Sequence, residues 1–248
     1  MKNVVVFLGF LLFLCTAEVL PSRSPISLDF ETGLARSGYN DIAVPGDTGT
    51  MLSLSRELSA DNTTFFRLRL NYQLTEKKVI SFLAAPLSIR SQGRLTKNVH
   101  FSGVDFPINT TLSTNFTFNS YRVTYRYTLF QGESLRFGCG ITAKIRDATI
   151  HFKSENLESE KSNTGVVPLI NFDLDYALTD RMRLRCIGDA LAAPQGRAED
   201  ILFAMFYDVS DALTVKSGYR LLEGGADNDE VYSFSLIHYY AIGAILRF

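Results

Sequence analysis

The segment Tyr240-Ala-Ile-Gly-Ala-Ile-Leu-Arg-Phe248 decides how the rest of the chain folds. Successive side chains of an extended strand point to opposite faces. One face of this strand is therefore apolar throughout, and it carries Tyr240, Ile242, Ala244, Leu246 and Phe248. A strand with such a face needs either a protein core or lipid against it.

The same alternation of apolar and polar residues recurs from residue 26 onward, whereas apolar stripes with the period of a helix do not occur. The clearest case runs from Leu135 to Arg146, where every odd position is apolar. The segment 201–207 is apolar on both faces, so its orientation stays open. Segments that follow the pattern predict strands at residues 26–35, 65–74, 79–90, 120–127, 135–146, 170–176, 182–189, 201–207, 213–220 and 231–248.

The connections between these strands alternate between short and long. Short turns are predicted near Glu76, Gly132, Asp180 and Asp211, and long connections at 37–62, 92–114, 148–164, 192–198 and 223–230. This asymmetry is typical of barrels with periplasmic turns and extracellular loops. Within this scheme, Pro86 predicts a bulge because it cannot donate a ladder hydrogen bond, and 51–58 predicts a short hairpin outside the membrane.

The carboxy-terminal pattern resembles that of bacterial outer-membrane β-barrel proteins, whose final strand ends in Phe with apolar residues at every second position before it. The resemblance to small barrels of the OmpA and OmpW kind implies an all-β fold, a single antiparallel up-and-down transmembrane β-barrel of about ten strands, with eight to twelve allowed. It also implies a place in the cell outer membrane. The partners it implies are outer-membrane lipids, lipopolysaccharide and the barrel-assembly machinery, which would engage the strand ending in Phe248.

A soluble β-sandwich or lipocalin-like cup is the alternative, since alternation alone does not say whether the apolar face points inward or outward. In hydrocarbon every backbone amide must be paired within the protein, so an outward apolar face requires a closed sheet. The terminal Phe248, the aromatic residues near strand ends and a secretory signal favour the membrane barrel.

The amino-terminal residues predict export. An apolar run from Val4 to Cys15 follows Lys2 and leads to small residues up to Ala17, which predicts a signal peptide at 1–17 and a barrel domain at 18–248. The run is short for an anchoring helix, and Leu14 is large for a lipidation site at Cys15.

The remaining cysteines and the overall charge carry little functional signal. Cys139 and Cys186 fall on lipid-facing positions of strands with another strand between them, so we expect them to be unpaired. A net charge of −1 predicts no nucleic-acid partner. We expect a monomer without a cofactor or metal.

The polar parity of the predicted strands collects charges that a barrel would enclose. Cations outnumber anions in this predicted lumen network: Asp29, Glu31, Arg67, Arg69, Arg122, Arg126, Lys144, Arg146, Asp173, Asp175, Arg183, Arg185, Asp189, Lys216 and Arg220. In a narrow lumen they must either pair as a plug or stay hydrated. Pairing predicts a structural role, and hydration predicts a narrow pore that passes small anionic solutes.

A second group of charges is predicted at the extracellular rim, on two adjacent hairpins: Arg197, Glu199, Asp200, Glu223, Asp227 and Asp229. A salt-bridge network is the favoured interpretation. The acidic run from Asp227 to Glu230 lacks the fuller spacing of a calcium loop, which disfavours a cation site.

Catalysis and loop-mediated binding are the other functional classes. A lipid A-modifying or protease-type barrel enzyme would need a histidine beside a nucleophile or acid at the rim. His100 and His151 lie in or beside long connections, and His238 shares the lipid-facing parity of Tyr240. No spacing of catalytic groups stands out, so we expect no enzyme and no catalytic residue; a surface-binding adhesin remains an alternative.

Overall fold

The computed structural model describes residues 25–193 and 196–248, and the predicted signal peptide at 1–17 lies outside them. Every regular element within these ranges is a β-strand: β1 Ile26–Ala43, β2 Leu52–Ser53, β3 Ser59–Ala60, β4 Thr63–Thr75, β5 Lys78–Ala85, β6 Ser88–Arg94, β7 Val99–Phe101, β8 Val104–Phe106, β9 Thr111–Gln131, β10 Leu135–Lys153, β11 Glu158–Ala177, β12 Met182–Ala193, β13 Gly196–Asp208, β14 Leu213–Asn228 and β15 Val231–Arg247. The described ranges hold no helix long and apolar enough to cross a membrane.

The strands form a closed antiparallel barrel. Each wall strand pairs with its neighbours in the order β1, β4, β5, β9, β10, β11, β12, β13, β14 and β15, and β15 pairs with β1 to close the wall. β6 continues β5 along the same side of β9, so the two form one wall strand. The wall of the described chain therefore has ten strands, as the alternation predicted.

The alternation predicts correctly which face meets lipid. Ile141 and Ile242 on the outward face are 66% and 59% exposed, whereas the inward Arg122 and Asp173 are 3% and 2% exposed. An exposed apolar belt of this kind surrounds the barrel, and water would disfavour it. Cys139 and Cys186 are both free, as expected.

The long connections predicted at 148–164, 192–198 and 223–230 are largely wrong, and the connection predicted at 37–62 begins only after Ala43. β10 and β11 continue as a paired ladder to Lys153 and Glu158, and β14 and β15 continue to Asn228 and Val231. The ladder continues above the apolar belt, where both faces of the wall contact water. Strands there need no apolar face, so they lack the alternation by which a strand in lipid is recognised.

Two local predictions need correction. At Pro86 the ladder is interrupted rather than bulged, because Ala85 pairs with Ser120 and Ser88 with Thr117 at an unchanged register. The segment 51–58 forms no hairpin of its own; β2 pairs with β1 and β3 with β6. Its leucines are instead buried in a core at the extracellular end, which contains Ile42, Val44, Leu52, Leu54, Leu58, Leu95, Val99, Phe101, Phe106, Leu112, Phe116, Ile150 and Phe152.

The strand at 201–207 turns its even positions into the barrel. Leu202, Ala204 and Phe206 are buried, while Phe203 is exposed. These inward residues join an apolar cluster with Phe65, Tyr239 and Ile237 on other wall strands. The interior is therefore not uniformly polar. The segment 201–207 is apolar on both faces because one face packs in this cluster and the other contacts lipid.

Replacing Ile141 by Arg tests the orientation of the wall. Ile141 lies near the middle of the belt, where an outward arginine costs about 2–4 kcal/mol in a transmembrane barrel. We expect the free energy of unfolding in lipid vesicles to fall by that amount, measured by denaturant titration. Ser162→Arg, exposed on β11 above the belt, is the control and should change it by less than about 1 kcal/mol. Equal losses in the two variants would contradict the orientation.

Candidate functional site

Six inward charges meet across the middle of the lumen and form what we call the central ion cluster: Glu31, Arg67, Arg122, Asp189, Asp200 and Arg220. Each residue comes from a different wall strand: β1, β4, β9, β12, β13 and β14. β9 and β13 lie on opposite sides of the barrel, so contacts between their residues cross the lumen. The alternation brings these residues inward, and closure brings them together.

Asp200 lies at the centre of the cluster. Its carboxylate accepts hydrogen bonds from Arg67 Nη2 at 2.9 Å and from Arg122 Nη2 and Arg220 Nη1, both at 2.5 Å. The predicted position of Asp200 at the extracellular rim is therefore wrong, since the side chain is 2% exposed. The prediction failed because the segment 201–207 is apolar on both faces, so the sequence did not show which of its faces points inward. Asp200 lies on the same inward face as Leu202.

Two flanking acids complete the bonding of the arginines. Arg122 Nη1 donates to Asp189 at 2.7 Å, and Arg220 Nε donates to Glu31 at 2.7 Å. Thr142 donates a further hydrogen bond to Asp189 at 2.6 Å. Buried charges are stable only when they are paired and hydrogen-bonded, and this cluster meets both conditions.

The cluster extends toward the periplasm through Lys216. Its ammonium group lies 2.8 Å from Glu31 and 2.7 Å from Asp29. Asn171, which was not among the predicted residues of the lumen network, donates a hydrogen bond from Nδ2 to Asp189 at 2.8 Å. The signal for Asn171 was its parity, which it shares with Asp173 and Asp175.

A second group, the periplasmic ion cluster, lies below the first and comprises Arg126, Arg136, Asp173, Asp175, Arg183 and Arg185. Arg185 Nη2 is 2.6 Å from Asp173, and Arg126 Nη2 is 3.1 Å from the same carboxylate. Gly138 leaves room for this arrangement, because a Cβ atom there would lie 3.1 Å from Arg126 Cδ. The pairing that the sequence allowed for these residues is present.

The central ion cluster separates two cavities. The periplasmic cavity has a volume of about 470 Å³ and polar walls that include Arg69 and Asn71. The extracellular cavity has a volume of about 430 Å³ and a mostly apolar wall. No described residue lines both cavities. Between them lies a void of about 10 Å³, whose lining includes Arg67, Arg122 and Phe118, and it is no larger than a single water molecule needs. At the level of the central ion cluster the lumen is thus nearly filled.

The extracellular cavity was not predicted from the sequence. Its apolar wall includes Phe116, Phe118 and Leu222, and its charged residues include Lys144 and Arg146. Lys144 and Arg146 were predicted as members of the lumen network, and both are inward, but neither has an ion pair with an acid among the described residues. Only the three-dimensional structure shows that the network stops below them.

At the rim the structure confirms part of the expected salt-bridge network. Arg197 Nη2 lies 2.7 Å from Glu223 Oε1, and the hydroxyl of Tyr39 donates to the same carboxylate. Partial burial raises the pKa of Glu223, which lies on β14 above the belt, but the hydrogen bonds from Arg197 and Tyr39 outweigh it and leave the pKa below its usual range. Glu199, Asp227 and Asp229 take no part in these contacts within the described residues.

The acidic stretch after Asp227 is held by hydrogen bonds of its own. Asn228 Oδ1 accepts from the backbone amides of Glu230 and Val231. Within residues 25–193 and 196–248, no three acids, histidines or cysteines are grouped as a metal site would require.

The histidines have partners outside the lumen. His100 Nδ1 is 2.7 Å from Asp105, His151 Nε2 is 2.7 Å from Glu158, and His238 bonds to the hydroxyl of Tyr219. In the described chain none of the three rings has a hydrogen bond with a serine hydroxyl or a cysteine thiol. Within the described residues, therefore, no histidine is hydrogen-bonded to a side chain that could serve as a serine or cysteine nucleophile.

Replacing Asp200 by Asn tests the central ion cluster. The change keeps the volume but leaves three buried guanidinium groups without their shared carboxylate. Breaking a buried ion pair costs about 3–5 kcal/mol, so we expect the free energy of unfolding to fall by at least that much. Glu199→Gln, one residue away and outside the cluster, is the control. A loss as small as that of the control would contradict the role of Asp200.

Comparisons with known proteins support the fold. No family model matches the chain, and no curated protein matches it in sequence. Among solved structures it is similar to the outer membrane protease OmpT of Escherichia coli, with a TM-score of 0.55, 11% identity, and coverage of 92% of this chain and 99% of that one. An outer membrane channel from Pseudomonas putida F1 is matched with a TM-score of 0.46, 10% identity, and coverage of 93% and 97%. The closed wall, the apolar belt and the likeness to OmpT together show that the chain has the fold of an outer-membrane β-barrel.

Proposed function

We propose that this protein is a structural barrel of the outer membrane that is closed to ions, with its lumen divided by the central ion cluster. The observation that supports this most directly is Arg122, which reaches from β9 to Asp189 on β12 and Asp200 on β13 and is 1% exposed in its side chain. A guanidinium group held by two carboxylates across the lumen leaves no room there for a hydrated ion. A ten-stranded wall encloses little more than its own side chains at such a level.

The charge balance of the cluster also disfavours selectivity for anions. Arg67, Arg122 and Arg220 are matched by the carboxylates of Glu31, Asp189 and Asp200. Selective pores present a ring of one sign of charge to the passing ion. The charges of the central ion cluster cancel, so the cluster presents no such ring. The excess of cations predicted for the lumen is therefore absent at the level of this cluster.

We also propose that the barrel is not an enzyme. The histidines lie outside the lumen and pair with Asp105, Glu158 or Tyr219 rather than with a nucleophile. The acids of the lumen are paired with arginines or with Lys216, which disfavours them as general bases. The likeness to a protease lies in the fold alone, and a shared fold does not imply a shared activity.

Planar-bilayer recording tests the closed barrel. We expect the protein to show no steady conductance in 1 M KCl. Replacing Arg122 by Ser removes the side chain that bridges the lumen and leaves Asp189 and Asp200 in place, so channel events with a preference for cations should appear.

The matched control is Arg126→Ser. Arg126 lies on the same strand and the same face, but it lines the periplasmic cavity. It should stay silent in the same recording. Steady conductance of the unchanged protein, or equal opening by both variants, would overturn the proposal.

A further inference from the structure

The extracellular cavity contains a buried cation, Lys144, that has no hydrogen bond or ion pair among the described residues. Lys144 lines this cavity and is 3% exposed. Among the described residues its ammonium group has no hydrogen bond and no ion pair; its contact is with the ring of Phe118, whose centroid lies 4.7 Å away. A buried ammonium group without a counter-charge is costly, and a cation–π contact offsets only part of that cost.

The charged groups that act on Lys144 are mostly positive, and Asp200, which attracts its ammonium group, is itself bound by three arginines. Its neighbour across the β9–β10 ladder is Arg122, whose two carboxylate partners lie in the central ion cluster. Arg146, two residues further up the same face, also lines the cavity, and its Nε is buried without a hydrogen-bond partner. The acid nearest the rim of the cavity, Glu223, is bound by Arg197. The lower part of the cavity is therefore cationic and lacks an anion.

The rest of the cavity is suited to a hydrocarbon chain. Apolar side chains from several strands face it, among them Phe116, Phe118, Ile150, Val167, Leu191 and Leu222. A volume of about 430 Å³ is within the range of small-molecule sites. A cavity of this kind combines an apolar wall with a few placed polar groups, here the amine of Lys144 and the guanidinium of Arg146.

The wall of the barrel has a gap between two neighbouring strands beside this cavity. β11 pairs with β12 only from Ile170 downward, where Ile170 is opposite Ala190, so the part of β11 from Glu158 to Leu169 is not paired on that side with any strand of the described chain. Val166 and Pro168, on the outward parity of β11, nevertheless line the cavity. Val166 is 72% exposed. The cavity thus opens sideways between β11 and the β12–β13 hairpin.

The opening lies at the level of the outer leaflet. Ile170 is about seven residues above the periplasmic end of β11, which corresponds to roughly 18 Å along the barrel axis at the usual strand tilt. The apolar belt of such barrels is about 25 Å tall, so the seam begins within its upper part. An amphiphile dissolved in the outer leaflet has direct access to the cavity there.

We propose that the extracellular cavity binds a single-chain amphiphile with an anionic head group, of which a fatty acid is the simplest. The head group pairs with Lys144 at the floor of the cavity, with Arg146 beside it. The chain lies along the apolar wall and leaves toward lipid through the seam between β11 and β12. The site is separate from the closure of the lumen and does not depend on it.

Photo-crosslinking in nanodiscs of phosphatidylcholine tests this site. The probe is dodecanoate with a diazirine at the end of its chain, and mass spectrometry maps the adducts. We expect adducts on inward residues of the cavity wall, such as Leu191 and Leu222. Unlabelled dodecanoate and dodecyl phosphate should suppress them, whereas dodecanol should be about tenfold weaker because it cannot pair with the amine.

Variants of Lys144 separate the charge from the fold. Lys144→Met keeps the contact with Phe118 but should weaken binding by about tenfold, and Lys144→Arg should restore it. Lys153→Met makes the same change on the same strand at an exposed position outside the cavity, and should leave labelling unchanged. Retention of the folded band in unheated electrophoresis identifies the variants that still form a barrel.

Several results would overturn the proposal. Adducts confined to lipid-facing residues would show that the chain does not enter the cavity. Equal competition by dodecanol, or full labelling of Lys144→Met, would remove the anionic head group from the site. Loss of labelling when phosphatidylglycerol replaces phosphatidylcholine would assign the site to a two-chain membrane lipid instead.

Discussion

A backbone amide in hydrocarbon has no water to bond, so every amide of a membrane-crossing strand needs a partner in the next strand. Ten strands meet this need only if the last pairs with the first, and the ladder from Ser27 to Ala43 against Tyr232 to Arg247 does so. Closure removes the free edges of the sheet. Closure also places the two faces of each strand in different environments, because one face contacts lipid and the other faces an enclosed lumen.

The enclosed face determines the chemistry of the interior. Charges that would be solvated on an open sheet must here find partners across a narrow space, and Asp200 serves three arginines at once. Pairing of this density joins strands on different sides of the barrel across the lumen. The proposed structural role and the proposed closure to ions therefore have one physical origin.

Above the central ion cluster the constraint relaxes. Free backbone groups can bond to water beyond the apolar belt, and within its upper part where they line a cavity, so the wall no longer needs to be continuous there. β11 can run past Ile170 without a partner, and short elements such as β2 and β3 can fold onto the barrel and bury the leucines of 51–58. The cavity beside Lys144 exists because the upper barrel is filled by apolar side chains rather than by paired charges.

The sequence by itself determined the number of wall strands and the face of each that meets lipid. A period of two residues is a local property, and lipid imposes it on every crossing strand; residues 201–207 alone were ambiguous, since their inward face is apolar as well. The alternation did not predict how far the strands extend above the belt, because in water either face of a strand can be polar. The partners of Asp200 and the isolation of Lys144 were decided only by the tertiary structure. Contacts across the lumen depend on how the strands are staggered when the wall closes, and alternation along one strand carries no information about that stagger.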